Sequence, residues 1–202
     1  MKESRGGEVT IGGLNLAAEK GILRTGHCYG HDCFIITDKT IFNGDCRRLQ
    51  QYKFNDGAKS KSLPGAYRKW PVGVLEMSEG NYPYVMFVEG SGDALTAISI
   101  IHDKGREDVA VVAMLGASNT IPADCLDHFR GRSICIYPHN DEAGMKALTK
   151  WSAQLELVTD ELNVFDLSTQ QKSDGTPVKD LGELYTSIKQ STAGQAVSLL
   201  PQ

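Results

Sequence analysis

Val85-Met86-Phe87-Val88-Glu89-Gly90-Ser91-Gly92-Asp93-Ala94-Leu95-Thr96-Ala97 is the stretch whose reading decides the fold. Four apolar residues run directly into a carboxylate and a Gly-x-Gly, followed by a second acid and an apolar pattern at helical spacing. A short apolar run of this kind reads as a strand buried on both faces, and the glycines permit a tight turn into a helix. Glu89 then stands at the carboxyl end of a central strand, the edge at which open α/β sheets bind ligands. Two roles are open for it at this point: an acid that caps the helix or pairs at the surface, or a ligand-binding group.

A second turn of the same kind lies downstream. Ser133-Ile134-Cys135-Ile136-Tyr137 reads as another apolar strand, and it leads into Pro138-His139-Asn140-Asp141-Glu142-Ala143-Gly144 and a helix rich in Ala, Leu and Lys. Two strand-to-helix turns therefore carry acids at one edge of one sheet. Neighbouring carboxylates repel, and the usual remedy is a hard divalent cation held through oxygen, most often Mg²⁺ together with substrate phosphates.

These residues resemble the Toprim domain shared by DnaG-type primases, topoisomerases and some nucleases. The resemblance rests on the apolar strand ending in Glu89-Gly90, on Asp93, and on the strand ending in His139-Asn140-Asp141-Glu142-Ala143-Gly144. It is extended by Lys179-Asp180-Leu181-Gly182-Glu183, where the primase branch has a Lys-Asp, and it covers about residues 83 to 185. It implies that Glu89, Asp141 and Asp180 bind Mg²⁺ and carry catalysis, with Asp93, His139 and Glu183 as secondary ligands or orienting groups. Lys179 would counter triphosphate charge. Two departures from the family pattern stand out. His139 replaces the first Asp of an Asp-x-Asp, and nitrogen suits Mn²⁺ or Zn²⁺ better than Mg²⁺. Gly182 stands where many primases have an acid or amide, with Glu183 one residue on.

This half reads in order as β-α-β-α-β-α-β: strand 84–88, helix 91–103, strand 109–115, helix 122–129, strand 133–137, helix 142–157 and strand 162–167. Gly116-Ala117-Ser118 is a small-residue turn that lets backbone approach a nucleotide closely. Residues 168–177 are polar and expected to be mobile. Asp180 opens a helix, where the role of N-cap competes with metal binding.

With 202 residues, 41 % hydrophobic and 23 % charged, the chain suits one domain or two small ones with a buried core. The expected architecture is α/β, a Rossmann-like, mostly parallel sheet flanked by helices over 83–202, with a small α+β subdomain over 1–82. Charge divides along the same line: residues 1–82 hold 12 Lys and Arg against 9 acids, and 83–202 hold 9 against 16. An acidic half that a metal would neutralise thus sits beside a basic half suited to a phosphate backbone, or to a solvated basic face. An N-terminus without a hydrophobic signal segment, no 18-residue apolar run, and five scattered cysteines are read as a reduced, cytoplasmic protein.

In the first half, residues 14–23 read as a short helix ended near Gly21. His27, Cys28, His31 and Cys33 invite a zinc reading, but structural zinc sites draw ligand pairs from separated segments, so the stretch is read as a loop leading into strand 33–37. A second strand is expected from Thr40 to Leu49. The basic, Pro- and Gly-punctuated segment 59–73 has two aromatics, suited to stacking on a base or, for Trp70, to packing on the core. Arg47-Arg48-Leu49, the Lys-rich Leu63-Pro64-Gly65 and Trp70-Pro71-Val72-Gly73 resemble the N-terminal subdomain of the primase core in phages and mobile elements. That implies Arg47, Arg48, Lys59 and Lys61 as phosphate contacts.

The resemblances imply a metal-dependent DNA primase, a nucleotidyltransferase making short RNA primers from ribonucleoside triphosphates on single-stranded DNA. The zinc-binding and helicase parts of primases are not in this sequence, which leaves open a fragment, a stand-alone core, or a replicative helicase as partner. Two other functions stay open: a Toprim nuclease using the same acids, and a DNA-binding or regulatory module whose metal site has degenerated, as His139 and Gly182 suggest.

Overall fold

The structure, a computed structural model, describes residues 9–40, 43–51, 53–66, 70–80, 82–190 and 199–200. Helix α1 (Ile11–Glu19) starts earlier than its apolar pattern because the Thr10 side chain accepts from the Gly13 amide as N-cap. An antiparallel sheet follows in the order β1 (Leu23–Cys28), β2 (His31–Thr37), β3 (Gly44–Arg48) and β4 (Lys61–Ser62). The loop expected over 27–33 is instead a hairpin in which Cys28 pairs with His31. Its two turn residues, Tyr29 and Gly30, sit at φ 55° and 75°, the left-handed pair that tight hairpins need. Tyr in the first position hid the signal. The strand expected from Thr40 is described from Gly44 onward; Ile41 and Phe42 lie outside the described residues, as do Tyr67, Arg68 and Lys69 of the basic segment.

Helix α2 (Val74–Glu79) was not anticipated by any sequence signal. It begins after Gly73 at φ 94°, where a Cβ would stand 2.0 Å from the Val111 carbonyl oxygen, so only glycine fits this approach to the neighbouring strand. Val72 just before it bridges to Ala113.

The second half alternates β5 (Tyr84–Val88), α3 (Ser91–Lys104), β6 (Val109–Ala113), α4 (Ala123–Leu126), β7 (Ser133–Tyr137), α5 (Glu142–Leu155), β8 (Glu161–Val164) and α6 (Leu181–Gln190). Its strands form a parallel sheet in the order β6-β5-β7-β8. The fold is thus α/β with a parallel sheet flanked by helices, joined to a small antiparallel sheet. Two strands end earlier than their apolar runs: Leu115 turns the chain at φ 55°, and the Asp166 side chain accepts from the Ser168 amide in a 3-10 turn. Within residues 168–177, Gln171 bridges to Pro177 and Asp174 accepts from the Thr176 amide.

Successive strand residues point to opposite faces, and both faces are filled. Val85, Phe87, Val112, Ile134 and Ile136 pack with Phe129, Trp151 and Leu155 on one side. Met86, Val88, Val111 and Tyr137 pack with Ile98, Leu181 and Leu184 on the other. Each large apolar side chain fully buried in this way contributes about 1.5–3 kcal/mol. The second cluster runs on into Ala17, Ile22, Leu23 and Ile36, so α1 and part of the antiparallel sheet share it.

The chain leaves β5 toward β6 on one side and leaves β7 toward β8 on the other. The crevice between the carboxyl ends of β5 and β7 is therefore the topological switch point, where sheets of this kind bind ligands. Among the described residues, no helix is long and apolar enough to cross a membrane.

Candidate metal and phosphate site

Glu89 follows β5, Asp93 lies in the first turn of α3, His139 follows β7, and Asp180 precedes α6; all four meet at the switch point. His139 joins them. Its Nε2 is 2.8 Å from Asp93 Oδ2 and its Nδ1 is 3.3 Å from Glu89 Oε1. Donor atoms of Asp93, His139 and Asp180 all lie within 4.8 Å of one another.

Local backbone geometry holds them there. Asn140 donates its main-chain amide to the Lys179 carbonyl (2.7 Å) and its side-chain amide to the Val178 carbonyl (3.0 Å), clamping the segment before Asp180 onto the β7 turn. Gly144 lets α5 abut that turn, because a Cβ there would sit 2.2 Å from the His139 carbonyl oxygen. Asp180 N-caps α6 by accepting from the Glu183 amide at 2.8 Å.

Asp141 stands apart from this group. Its Oδ1 accepts from the Gly144 amide at 2.9 Å and its Oδ2 is 3.2 Å from Lys179 Nζ. Its side chain is 38 % exposed, against 9 % for Asp93 and 12 % for Glu89, which puts it on the outer rim. Glu183 is occupied with structure: it accepts from the Lys179 amide at 3.0 Å and pairs with Lys172 at 3.2 Å. The five acids and His139 singled out in sequence therefore divide into an inner group of four, Glu89, Asp93, His139 and Asp180, and two outer residues, Asp141 and Glu183.

The inner group is short of positive charge. Burial raises the Glu89 carboxyl above its ordinary range, with His139 pulling the other way and Asp93 and Asp141 adding to the rise. Burial likewise raises Asp180, against the Glu183 amide. For His139 burial acts to lower the pKa, but the Asp93 hydrogen bond and the charges of Asp93, Glu89 and Asp180 carry it up to about 9. Asp141 is lowered, first by the Gly144 amide and then by Lys179. Glu89 Oε2 is buried with no hydrogen-bond partner among the described residues, an expense that a bound cation would remove. The donor set and this orphaned oxygen fit a divalent ion.

Of the basic candidates in the first half, Arg47 reaches this site. Its Nε donates to Ser91 Oγ at 3.1 Å, and its guanidinium lies over Gly92, between Glu89 and Asp93 in the turn. Arg48, next on β3, points to the other face of the sheet and donates to the Lys53 carbonyl at 3.1 Å. Lys61 pairs with Asp56 at 2.6 Å and lies over the Tyr29 and Phe54 rings, and Lys59 is exposed in the segment before it. Trp70 packs beside the core with its ring edge-on to His128. Cys28, Cys33 and Cys46 are buried beside Phe54, and His27 pairs with Asp32. Sequence reading missed Asn140 and Ser91, whose partners come from distant segments.

No family model matches the chain, and no characterised protein matches it by sequence. Solved structures do match. The primase fragment of the bacteriophage T7 primase-helicase protein superposes with a TM-score of 0.57 at 19 % identity, over 83 % of this chain and 62 % of that one. This chain thus spans less than two thirds of that fragment. A structure of bacteriophage T7 lagging-strand DNA polymerase interacting with primase domains bound to an RNA/DNA hybrid and dTTP gives a TM-score of 0.50 at 17 % identity, over 82 % and 76 %. At these identities the likeness is one of fold: the chain has a primase-like fold.

Proposed function

We propose that this chain is a Toprim-type, DNA primase-like catalytic core, a metal-dependent nucleotidyltransferase that makes short RNA primers on single-stranded DNA for a phage or other mobile element. The observation that carries this reading is the meeting of Glu89, Asp93, His139 and Asp180 at the β5–β7 switch point, with Arg47 arriving from the other sheet. The likeness of fold to primase domains supports it. On this reading the half 83–202 holds the metal and the half 1–82 holds template and nucleotide.

Glu89, Asp93, His139 and Asp180 would hold Mg²⁺ or Mn²⁺, with Asp141 beside them at the rim. When bound, such ions stabilise the charge on the attacking 3′-oxygen and the departing pyrophosphate. Asn140 fixes Asp180 against His139, so the ligand set is pre-organised. Asp141, kept ionised by the Gly144 amide, holds Lys179 at the mouth of the site, where its ammonium meets a triphosphate. Arg47 supplies a forked donor for phosphate oxygens. Arg48, Lys59 and Lys61 lie further along the antiparallel sheet, where they would track the template backbone.

A second reading is a DNA-binding module that needs no metal. It is favoured by His139, which already gives Glu89 and Asp93 a cation from the protein itself. One incubation separates the readings: single-stranded DNA with and without ribonucleoside triphosphates, in Mg²⁺ and in Mn²⁺. Short RNA made only with nucleotides supports the primase reading. Cleavage without nucleotides points to a nuclease. DNA binding with neither product, indifferent to Mg²⁺ and to Glu89→Gln, supports the module.

A further inference from the structure

Arg47 is the basic candidate that reaches the turn from Glu89 to Asp93, and the contacts that bring it there involve two residues of that turn, Ser91 and Gly92, and Asp45 on its own strand. Ser91 Oγ accepts from Arg47 Nε at 3.1 Å and donates to Asp45 Oδ2 at 3.1 Å. Asp45 and Arg47 are two apart on β3 and so share a face of the sheet. The serine hydroxyl bridges the two, and Ser91 as a residue is 1 % exposed. It has no capping duty: Gly90 holds the N-cap position of α3, and no side chain caps that helix. Beside it, Gly92 leaves the space the guanidinium fills, because a Cβ there would stand 3.2 Å from Arg47 Nη2 and 3.4 Å from Nη1.

A free arginine side chain samples many rotamers, and ordering it costs up to about 2 kcal/mol. Fixing Nε alone orders the side chain and leaves the two Nη groups, the edge of the fork that grips phosphate oxygens. A cation at a helix N-terminus also opposes the helix dipole, so this placement does not stabilise the helix itself.

We propose that Ser91 and Gly92 are positioning residues that aim the Arg47 guanidinium at phosphate oxygens bound beside the acidic turn, Ser91 by holding Nε and Gly92 by leaving room. The proposal rests on the phosphate-binding reading of this site given above. The phosphate belongs to a nucleic-acid backbone or to a nucleoside triphosphate, and two arms of one experiment distinguish them.

The full chain is titrated with a single-stranded oligonucleotide over a range of salt, and separately with ATP in Mn²⁺. Wild type is compared with Arg47→Ala, Ser91→Ala, Gly92→Ala, Arg47→Ala/Ser91→Ala, and Arg130→Ala as a control for loss of a surface charge. Losing a phosphate contact to a single strand lowers the slope of log affinity against log salt by about 0.7. Arg47→Ala is expected to show that loss, or an affinity for ATP about tenfold weaker, in whichever arm supplies the phosphate. Ser91→Ala and Gly92→Ala are expected to reproduce most of the effect in the same arm, and the double variant to add nothing to Arg47→Ala. Gly92→Ala is the decisive variant, since alanine favours a helix over glycine and the thermal midpoint should hold or rise while binding falls.

If wild type binds and Arg47→Ala weakens it while Ser91→Ala and Gly92→Ala bind as wild type does, the positioning role is wrong and the phosphate reading stands. If Arg47→Ala changes neither arm, or wild type binds neither probe, the phosphate reading fails and takes this inference with it. If Arg130→Ala matches Arg47→Ala, the effect is one of net charge and the inference is overturned.

Discussion

In the parallel sheet, β6 is buried at all five positions and β5 at four of five, whereas β1 of the antiparallel sheet runs buried, intermediate, exposed, intermediate, exposed, buried. The difference follows from how each sheet is covered. Helices lie on both faces of the parallel one, so its strands read as continuous apolar runs. The antiparallel one keeps an open face. Chemistry is divided the same way, with buried acids gathered at the strand ends of the first sheet and basic side chains spread along the second. The doubly covered sheet holds three carboxyls close together against their repulsion, with His139 among them; the open sheet contributes Arg47 across the gap.

The largest expected effects test this contrast in stability. Trp151 is fully buried, packs edge-on to Phe87 and donates its indole N–H to the Asn119 carbonyl. Trp151→Ala should cost about 3–5 kcal/mol in urea unfolding. Thr25→Ala, on the exposed face of β1, should stay within about 0.5 kcal/mol. Equal losses would break the comparison.

Gly144→Ala comes next. The added methyl must displace the His139 carbonyl, so overpacking of about 1–3 kcal/mol is expected, together with weaker metal binding, because the ligand turn itself moves. Metal affinity unchanged in calorimetry would mean that the β7 turn does not set the ligand geometry.

Asn140→Ala, which leaves the Val178 carbonyl without its side-chain donor, should cost about 1 kcal/mol. Its metal affinity should fall as the hold on Asp180 loosens. A loss of stability with metal affinity intact would leave Asn140 a purely structural residue.

The smallest effect concerns pH. His139 is raised from 6.5 to about 9 in the folded protein, so its contribution to stability is complete below about pH 6.5 and is lost as pH rises through about 9. Without divalent ions, the urea midpoint should fall across that window, and His139→Gln should flatten the fall. A wild-type midpoint that rises there would contradict the charge assignment.

Much of the parallel half was legible in the chain because burial on both faces leaves uninterrupted apolar runs such as 85–88 and 133–137, and each strand-to-helix turn announces itself with glycine and acid. The antiparallel half was less legible. Tyr29 at a positive φ concealed a hairpin, and α2 depends on Gly73 fitting against Val111, a contact between segments far apart in the sequence. The acids themselves could be picked out, but their grouping could not. Which of Glu89, Asp93, His139, Asp141 and Asp180 converge is set by the return of residues 178–180 to the β7 turn through Asn140, and by the capture of Asp141 by the Gly144 amide. The return through Asn140 joins segments far apart and leaves no mark on local sequence, whereas an Asp just before a helix is an N-cap signal that went unread at Asp141.

The central claim is that the switch-point cluster is a working metal centre for nucleotidyl transfer. Calorimetric titration with Mn²⁺ and with Mg²⁺, with and without ATP, on wild type and Glu89→Gln, tests it most directly. Binding that strengthens with ATP and is lost in Glu89→Gln is the predicted result. Absence of binding by either metal in both conditions would contradict the claim and leave His139 as the only cation the cluster takes.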